Sequence, residues 1–220
     1  MNNNAREQIL SDIRRALNRT TSLHKSVSAA LMARLAGHSV HVQPVVETDL
    51  VNRFIAKSKA VASTVVTVPS LMQVPEAVTQ YLTTSSQKLE VVMAPDPLLD
   101  DIDWPTSMKI ERRQAGRQDV VSITGVFAAI AETGTLVLLS GAHSPTTLNF
   151  LPDIHIAIVR RQQIITHIED VWRQIRSELE GMPRTVNLIT GPSRTADIEQ
   201  TIQLGAHGPR SQHVIVVDAE

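Results

Sequence analysis

An alternation of two kinds of segment constrains the fold of this chain more than any other feature. From residue 63 to residue 217, short runs rich in valine and isoleucine alternate with segments whose apolar residues recur at helical spacing. Such alternation is typical of βαβ units, in which strands lie parallel and helices cover the sheet. The sequence therefore predicts a three-layer α/β domain with a mainly parallel sheet. The predicted strands are residues 63–68, 89–94, 120–124, 135–140, 154–159, 185–190 and 213–217, and the predicted helices are residues 48–58, 74–83, 166–180 and 193–204.

The first 43 residues have a different character. Residues 5–19 place Ile9, Ile13 and Leu17 at helical spacing, with arginines near the C-terminal end, where positive charge suits the helix dipole. A polar stretch over residues 20–28, followed later by Pro44, indicates a hinge. We therefore expect a helical arm with its hinge in residues 1–43 and an α/β domain in residues 44–220. The apolar stripe of the arm is expected to dock on a neighbouring molecule, which includes self-association, or on its own domain.

Composition excludes several classes of function. The chain has 21 Lys and Arg against 22 Asp and Glu and only six aromatic residues, so it offers neither a basic surface nor stacking platforms for nucleic acid. It has no cysteine, so it cannot hold an iron-sulfur cluster through thiolates, form a disulfide or use a catalytic thiol. No apolar run of about 18 residues and no secretory signal pattern occur. A soluble, cytoplasmic protein without membrane contact is expected.

A first candidate site is the turn that precedes the predicted strand at residues 135–140. Glu132, Thr133, Gly134 and Thr135 combine one carboxylate and two hydroxyls with a glycine that permits close approach of other backbone. A carboxylate in this place can act as a base or a nucleophile, or it can hydrogen-bond the neighbouring loop and hold it in place. Both interpretations remain open at this point.

A second candidate site begins at Gly191. If a helix starts near Ser193, its free backbone amides, the hydroxyls of Ser193 and Thr195 and the cation of Arg194 form a cradle for a carboxylate or phosphate. The alternative is simple capping of that helix by Ser193 or Thr195. The stretch is neither a Walker loop nor a dinucleotide fingerprint, because the required lysine and glycine spacing are missing. We expect a small anionic metabolite as the ligand.

Histidines supply the remaining candidates. His207 lies in a glycine-containing loop and can act as acid, base or ligand near neutral pH. His143 is interpreted as a solvated loop residue, although it and Ser193 would converge if both lay at the carboxyl edge of a parallel sheet. His38 and His41 have no third ligand nearby, so no metal site is predicted. The predicted catalytic residues are thus Glu132 and His207.

The two glycine-containing stretches also resemble a known family. The Glu132–Thr133–Gly134–Thr135 run, the segment from Gly191 to residue 199 and the Leu-Gly-Ala-His-Gly-Pro run that contains His207 are together similar to the lactate utilization protein C family, which is built on the LUD domain. The resemblance covers about residues 120–218. It implies a fold like that of CoA transferases and sugar-phosphate isomerases, and the Glu132 turn is similar to the turn that supplies a nucleophilic glutamate in CoA transferases.

The same resemblance implies a function. The chain would be a subunit of an iron-sulfur-dependent system that oxidises L-lactate to pyruvate, a part of an oxidoreductase complex rather than a complete enzyme. It would carry no cofactor itself, and companion subunits would hold the clusters, in agreement with the absence of cysteine. The alternative is an independent CoA-transferase-like enzyme or sensor that binds an acidic metabolite or an acyl-CoA. A pure assembly scaffold is a third interpretation.

Overall fold

The chain divides into two units, Met1–Pro44 and Val45–Glu220. The computed structural model describes residues 3–19, 24–37, 42–195 and 203–218. The first unit contains helices α1 (Asn3–Ala16) and α2 (Lys25–Ala36). Helix α1 agrees with the predicted helix, whereas α2 was not predicted and begins inside the stretch assigned to the hinge. Its apolar residues do not fall on one stripe, so periodicity gives no signal for it. The predicted hinge residues 20–23, and His38 and His41, lie outside the described residues.

The second unit alternates helices and strands along most of its length, as the sequence predicts. In chain order it contains α3 (Leu50–Ala60), β1 (Thr64–Val68), α4 (Val74–Thr84), β2 (Glu90–Met93), α5 (Pro97–Asp100), β3 (Lys109–Arg112), β4 (Val121–Gly125), β5 (Ala128–Ile130), β6 (Thr135–Leu139), α6 (Thr147–Phe150), β7 (Ile154–Arg160), β8 (Ile164–Ile165), α7 (Ile168–Glu178), β9 (Val186–Ile189), β10 (Arg194–Thr195), β11 (Gln203–Leu204) and β12 (Ser211–Val217).

A six-stranded parallel sheet forms the centre of this unit, in the order β1-β12-β7-β4-β2-β3. Its central strands are buried on both faces, and for this reason they appear in the sequence as continuous apolar runs. Ile156 and Ile158 pack with α4 on one face, whereas Ala157 and Val159 pack with α3 and a second sheet on the other. The α/β class, the mainly parallel sheet and the layered arrangement are confirmed.

The second sheet is a feature that the sequence did not separate from the first. Strands β8-β5-β6-β9 form it, with antiparallel pairs β5–β6 and β6–β9 and a parallel pair β5–β8. Leu136 and Leu138 face the central sheet, while Ile130 and Val137 contact Val171 on α7. The second sheet therefore lies between the central sheet and α7, and the turn between β5 and β6 is at one end of it.

The predicted helix at residues 193–204 is wrong. Strand β10 pairs with β11 as an antiparallel hairpin, with Arg194 opposite Leu204. The backbone N–H of Ser193 donates to the carbonyl of Pro209 at 2.8 Å, and the N–H of Gly205 donates to the carbonyl of Ser193 at 3.0 Å. Pairing with a returning segment thus overrides the local capping signal of Ser193 and Thr195. Residues 196–202 lie outside the described residues.

Candidate functional site

The two glycine-containing stretches meet in the structure. Antiparallel pairing of β6 with β9 places Leu136 opposite Ile189, which brings Thr135 next to Thr190. The hydroxyls of Thr133 and Thr135 are hydrogen-bonded at 2.6 Å, and those of Thr135 and Thr190 at 2.8 Å. A chain of three hydroxyls therefore joins the end of the first stretch to the start of the second.

Both stretches also pack against the C-terminal end of α3, and this contact explains two of their glycines. Gly134 and Gly191 have φ values of 73° and 79°, in the left-handed region that favours glycine. A Cβ at Gly134 would lie 2.5 Å from the backbone nitrogen of Ser58, and a Cβ at Gly191 would clash with the carbonyl oxygen of Val61. The glycines are required by backbone shape and close approach, so they form the frame of the site.

Backbone hydrogen bonds hold the turn that carries Glu132. Gly134 N–H donates to the Ile130 carbonyl at 2.9 Å, which closes the turn. Ala131 and Glu132 N–H donate to the carbonyls of Ile165 and Thr166 at 2.8 and 3.2 Å, which continues the β5–β8 pairing beyond the strands. The backbone of the turn is thus fixed by hydrogen bonds that do not involve the Glu132 side chain.

The side chain of Glu132 is paired with a residue that sequence reasoning missed. His167 Nδ1 lies 2.8 Å from Glu132 Oε2, and the side chains are 12% and 27% exposed respectively. His167 lies immediately before α7, where its backbone N–H donates to Asp170 Oδ2 at 3.0 Å. The sequence placed His167 inside a helix spanning residues 166–180. A usable signal was Asp170, three residues further on, which is typical of a helix that begins after His167.

His207, the other predicted catalytic residue, lies elsewhere. It is exposed, and its backbone N–H donates to Ser193 Oγ at 3.4 Å, near the start of β12. The structure therefore pairs Glu132 with His167 and places His207 beside Ser193. A joint catalytic role of Glu132 and His207 has no contact to support it among the described residues.

The predicted anion cradle loses its basis because no helix begins at Ser193. Arg194 is exposed, and its guanidinium donates to the carbonyl of Val61 at 3.0 Å, at the end of α3. Thr195 is half-buried in β10. Ser193 and Arg194 therefore contribute to the packing of this segment, and binding of an anion by Ser193, Arg194 and Thr195 stays a prediction without the helix amides.

His143 does not converge with Ser193. Its Nδ1 donates to the carbonyl of Pro95 at 2.8 Å, just after the carboxyl end of β2. Ser193 instead bonds Pro209, just before the amino end of β12. Since β2 and β12 belong to one parallel sheet, the two residues lie at opposite edges of it.

Two further histidines are buried away from the Glu132 turn. His155 in β7 has no exposed surface, its Nε2 is hydrogen-bonded to Thr124 Oγ1 at 2.8 Å, and burial lowers its pKa to about 4. His213 in β12 stacks on Tyr81 with ring centroids 4.0 Å apart, and burial also lowers its pKa to about 4. Both rings are therefore neutral at physiological pH, and both belong to the core.

The residues of this chain do not suit a metal cluster. The sequence has no cysteine, and no group of three or more His, Asp or Glu side chains within the described ranges is arranged to hold an ion. An iron-sulfur cluster needs thiolates or, in some centres, a histidine pair beside two thiolates. In the same described ranges, no helix has the length and apolar character needed to cross a bilayer.

Comparison with known proteins gives three findings. The model of the LUD domain family matches residues 4–217. Proteins named lactate utilization protein C from Geobacillus sp. strain WCH70 and from Bacillus subtilis strain 168 are each 34% identical, over 53% of this chain and over 54% and 50% of their own lengths. The chain thus spans about half the length of these curated relatives.

The third finding concerns the fold. A crystal structure of a DUF162 family protein from Deinococcus radiodurans superposes with a TM-score of 0.59 and 23% identity. The superposition covers 79% of this chain and 99% of the Deinococcus radiodurans chain. At this identity the likeness supports the fold alone.

Proposed function

This chain belongs to the LUD domain family, and we propose that it serves lactate utilization. The observation that carries the proposal is the identity of 34% with proteins named lactate utilization protein C. The matched region covers about half of those proteins. The structure adds a partly exposed carboxylate, Glu132, in a turn that Gly134 allows to pack closely against α3.

We further propose that the chain is the subunit without a cluster in an iron-sulfur-dependent system that converts L-lactate to pyruvate in the cytoplasm. The absence of cysteine supports this division, because electron transfer through a cluster requires ligands that companion subunits would supply. This chain contributes binding groups on the substrate side. The Glu132 turn is the candidate place, since its carboxylate contacts the imidazole of His167 and its Thr133 hydroxyl begins a chain of three hydroxyls.

A genetic experiment tests the lactate role. In the source organism, deletion of this chain should abolish growth on L-lactate as sole carbon source and leave growth on glucose unchanged. A plasmid copy of the wild-type chain should restore growth on lactate. Undiminished growth of the deletion strain on lactate would refute the proposal, provided that no second copy of the chain is encoded.

Purification under native conditions tests the subunit role. An affinity-tagged chain expressed from its own locus should bring down cysteine-rich companions and iron, whereas the same chain expressed alone in a heterologous host should be colourless and free of stoichiometric iron. Recovery of a monomer without companions from lactate-grown cells would contradict the subunit proposal.

A second candidate function is an independent CoA-transferase-like activity. The observation that favours it is the position of Glu132, whose backbone is fixed by its neighbours while its carboxylate remains 27% exposed. A carboxylate nucleophile in this class forms an acyl anhydride with the CoA thioester and releases CoA thiolate. Incubation of the isolated chain with acetyl-CoA and a carboxylate acceptor, with Glu132→Gln as the control, separates this activity from the lactate role.

A further inference from the structure

The Glu132–His167 pair has the geometry of an oriented imidazole. A neutral imidazole has one N–H donor and one acceptor nitrogen, and the partner of one nitrogen decides which is which. Glu132 Oε2 lies 2.8 Å from Nδ1, and a carboxylate only accepts hydrogen bonds, so Nδ1 carries the hydrogen. Nε2 then carries the lone pair. It makes no hydrogen bond to another residue in the described part of the chain and is not among the enclosed unpaired atoms.

The chain of three threonine hydroxyls has one proton that its internal hydrogen bonds do not use. Thr133, Thr135 and Thr190 carry three hydroxyl protons, and the two hydrogen bonds between them use two. Thr135 is buried in the middle, whereas Thr133 and Thr190 at the ends are exposed. The spare proton lies on an exposed end when both hydrogen bonds run in the same direction along the chain. With Thr190 donating to Thr135 and Thr135 donating to Thr133, Thr133 is the outward donor. Thr133 follows Glu132 directly in the turn, and the carboxylate of Glu132 contacts the imidazole of His167.

We infer that Glu132 and His167 form a dyad in which Glu132 positions the ring and His167 Nε2 accepts the hydroxyl hydrogen of a small hydroxy acid. The hydroxyl chain that begins at Thr133 donates to an oxygen of the same ligand. The choice of a hydroxy acid rests on the proposed role in lactate utilization, whereas the dyad rests on the geometry alone. His167 therefore replaces His207 as the histidine of this site.

The dyad has a spectroscopic signature that does not depend on activity. Nitrogen-15 NMR distinguishes the two neutral tautomers of histidine, and His167→Gln identifies the signal among the eight histidines. In the full wild-type chain near pH 8, the Nδ1–H tautomer should dominate at His167. Glu132→Ala removes the acceptor, so the ring should return to a majority of the Nε2–H form that histidine prefers in water.

A matched variant controls for disturbance of α7. Asp170 also bonds His167, but through the backbone N–H at 3.0 Å rather than through the ring. Asp170→Asn should therefore leave the tautomer unchanged. A dominant Nε2–H form in the wild-type chain, or the same tautomer in wild type and in folded Glu132→Ala, would overturn the dyad.

Ligand binding is tested separately with sodium L-lactate as the probe and sodium propionate, which lacks the 2-hydroxyl, as the control. Lactate should shift the Nε2 signal of His167 and propionate should not, and the shift should be lost in Glu132→Ala. Equal shifts with both salts, or none with lactate at millimolar concentration, would overturn the assignment of the ligand. The tautomer measurement tests the dyad and growth on lactate tests the proposed function, so each claim is refuted by a different result.

Discussion

Acidification should destabilise this protein through His155, which has no exposed surface. Its Nε2 is hydrogen-bonded to Thr124 Oγ1, and its Nδ1 has no partner within the described residues. Burial lowers the pKa of His155 from 6.5 to about 4, because a protonated ring would lose its hydration. The folded state therefore holds this ring neutral over a range in which the unfolded chain protonates it.

The size and sign of the effect follow from proton linkage. Between pH 6.5 and about 4 the unfolded chain binds more protons than the folded chain, so the free energy of unfolding falls as the pH falls. A pKa lowered from 6.5 to about 4, at about 1.4 kcal/mol for each pKa unit, makes the full loss about 3 kcal/mol. The contribution is complete above pH 6.5 and is lost near pH 4.

Urea unfolding of wild type and His155→Gln near pH 8 and near pH 4.5 measures this contribution. Glutamine keeps a hydrogen-bonding partner for Thr124 and cannot titrate, so any constant packing cost is the same at both pH values and cancels in the comparison. The variant should lose less stability than wild type on acidification. His213→Gln should remove a separate part of the pH dependence of stability, because burial also lowers the pKa of His213 to about 4. Equal pH dependence of wild type and His155→Gln would refute the reasoning.

Three further predictions concern the frame of the site and the arm. Gly134→Ala should lower the free energy of unfolding by about 1 to 3 kcal/mol, because the φ of Gly134 is 73° and a Cβ would lie 2.5 Å from the backbone nitrogen of Ser58. Gly141→Ala, where a Cβ would meet nothing within 4 Å, should leave the melting temperature unchanged. Thr135→Val should cost about 1 kcal/mol or more in urea unfolding, since it removes the middle hydroxyl of the chain. Deleting residues 1–20 should lower the mass measured by light scattering to that of a single chain and leave the melting temperature unchanged. An unchanged mass with a sharply lower melting temperature would contradict docking of the arm on a neighbouring molecule.

The central sheet was predictable because its strands are both apolar and short. Runs such as Ile154–Arg160 and Ser211–Val217 are buried on both faces, and each is flanked by polar or turn residues that mark its ends. The second sheet was not separable from the first, because β6 is also an apolar run and nothing local reveals that its neighbours are antiparallel. Strand existence is a local property, whereas sheet membership depends on distant partners.

The candidate site was predictable only in part, for the same reason. Glu132 and the glycines are recognisable from the local sequence, because a carboxylate and a glycine stand together in a turn directly before an apolar strand. His167 contacts Glu132 through pairing of β5 with β8, a contact across 35 residues that carries no sequence signal. The hairpin at Arg194 was predicted as a helix because capping residues were read without the partner segment that uses their backbone groups.

The most direct test of the account is whether the carboxylate of Glu132 is needed for lactate utilization. A strain that lacks this chain is complemented with wild type, with Glu132→Gln or with Glu111→Gln, which changes a carboxylate in edge strand β3, and protein levels are matched by immunoblot. Glu132→Gln should fail to restore growth on L-lactate while Glu111→Gln restores it fully. Glu132→Gln should melt close to wild type because backbone bonds hold the turn, and Glu111→Gln because its ion pairs with Lys109 and Arg113 are exposed and contribute little to stability. Full growth on lactate with Glu132→Gln at wild-type protein level would contradict the assignment of this turn as the functional site.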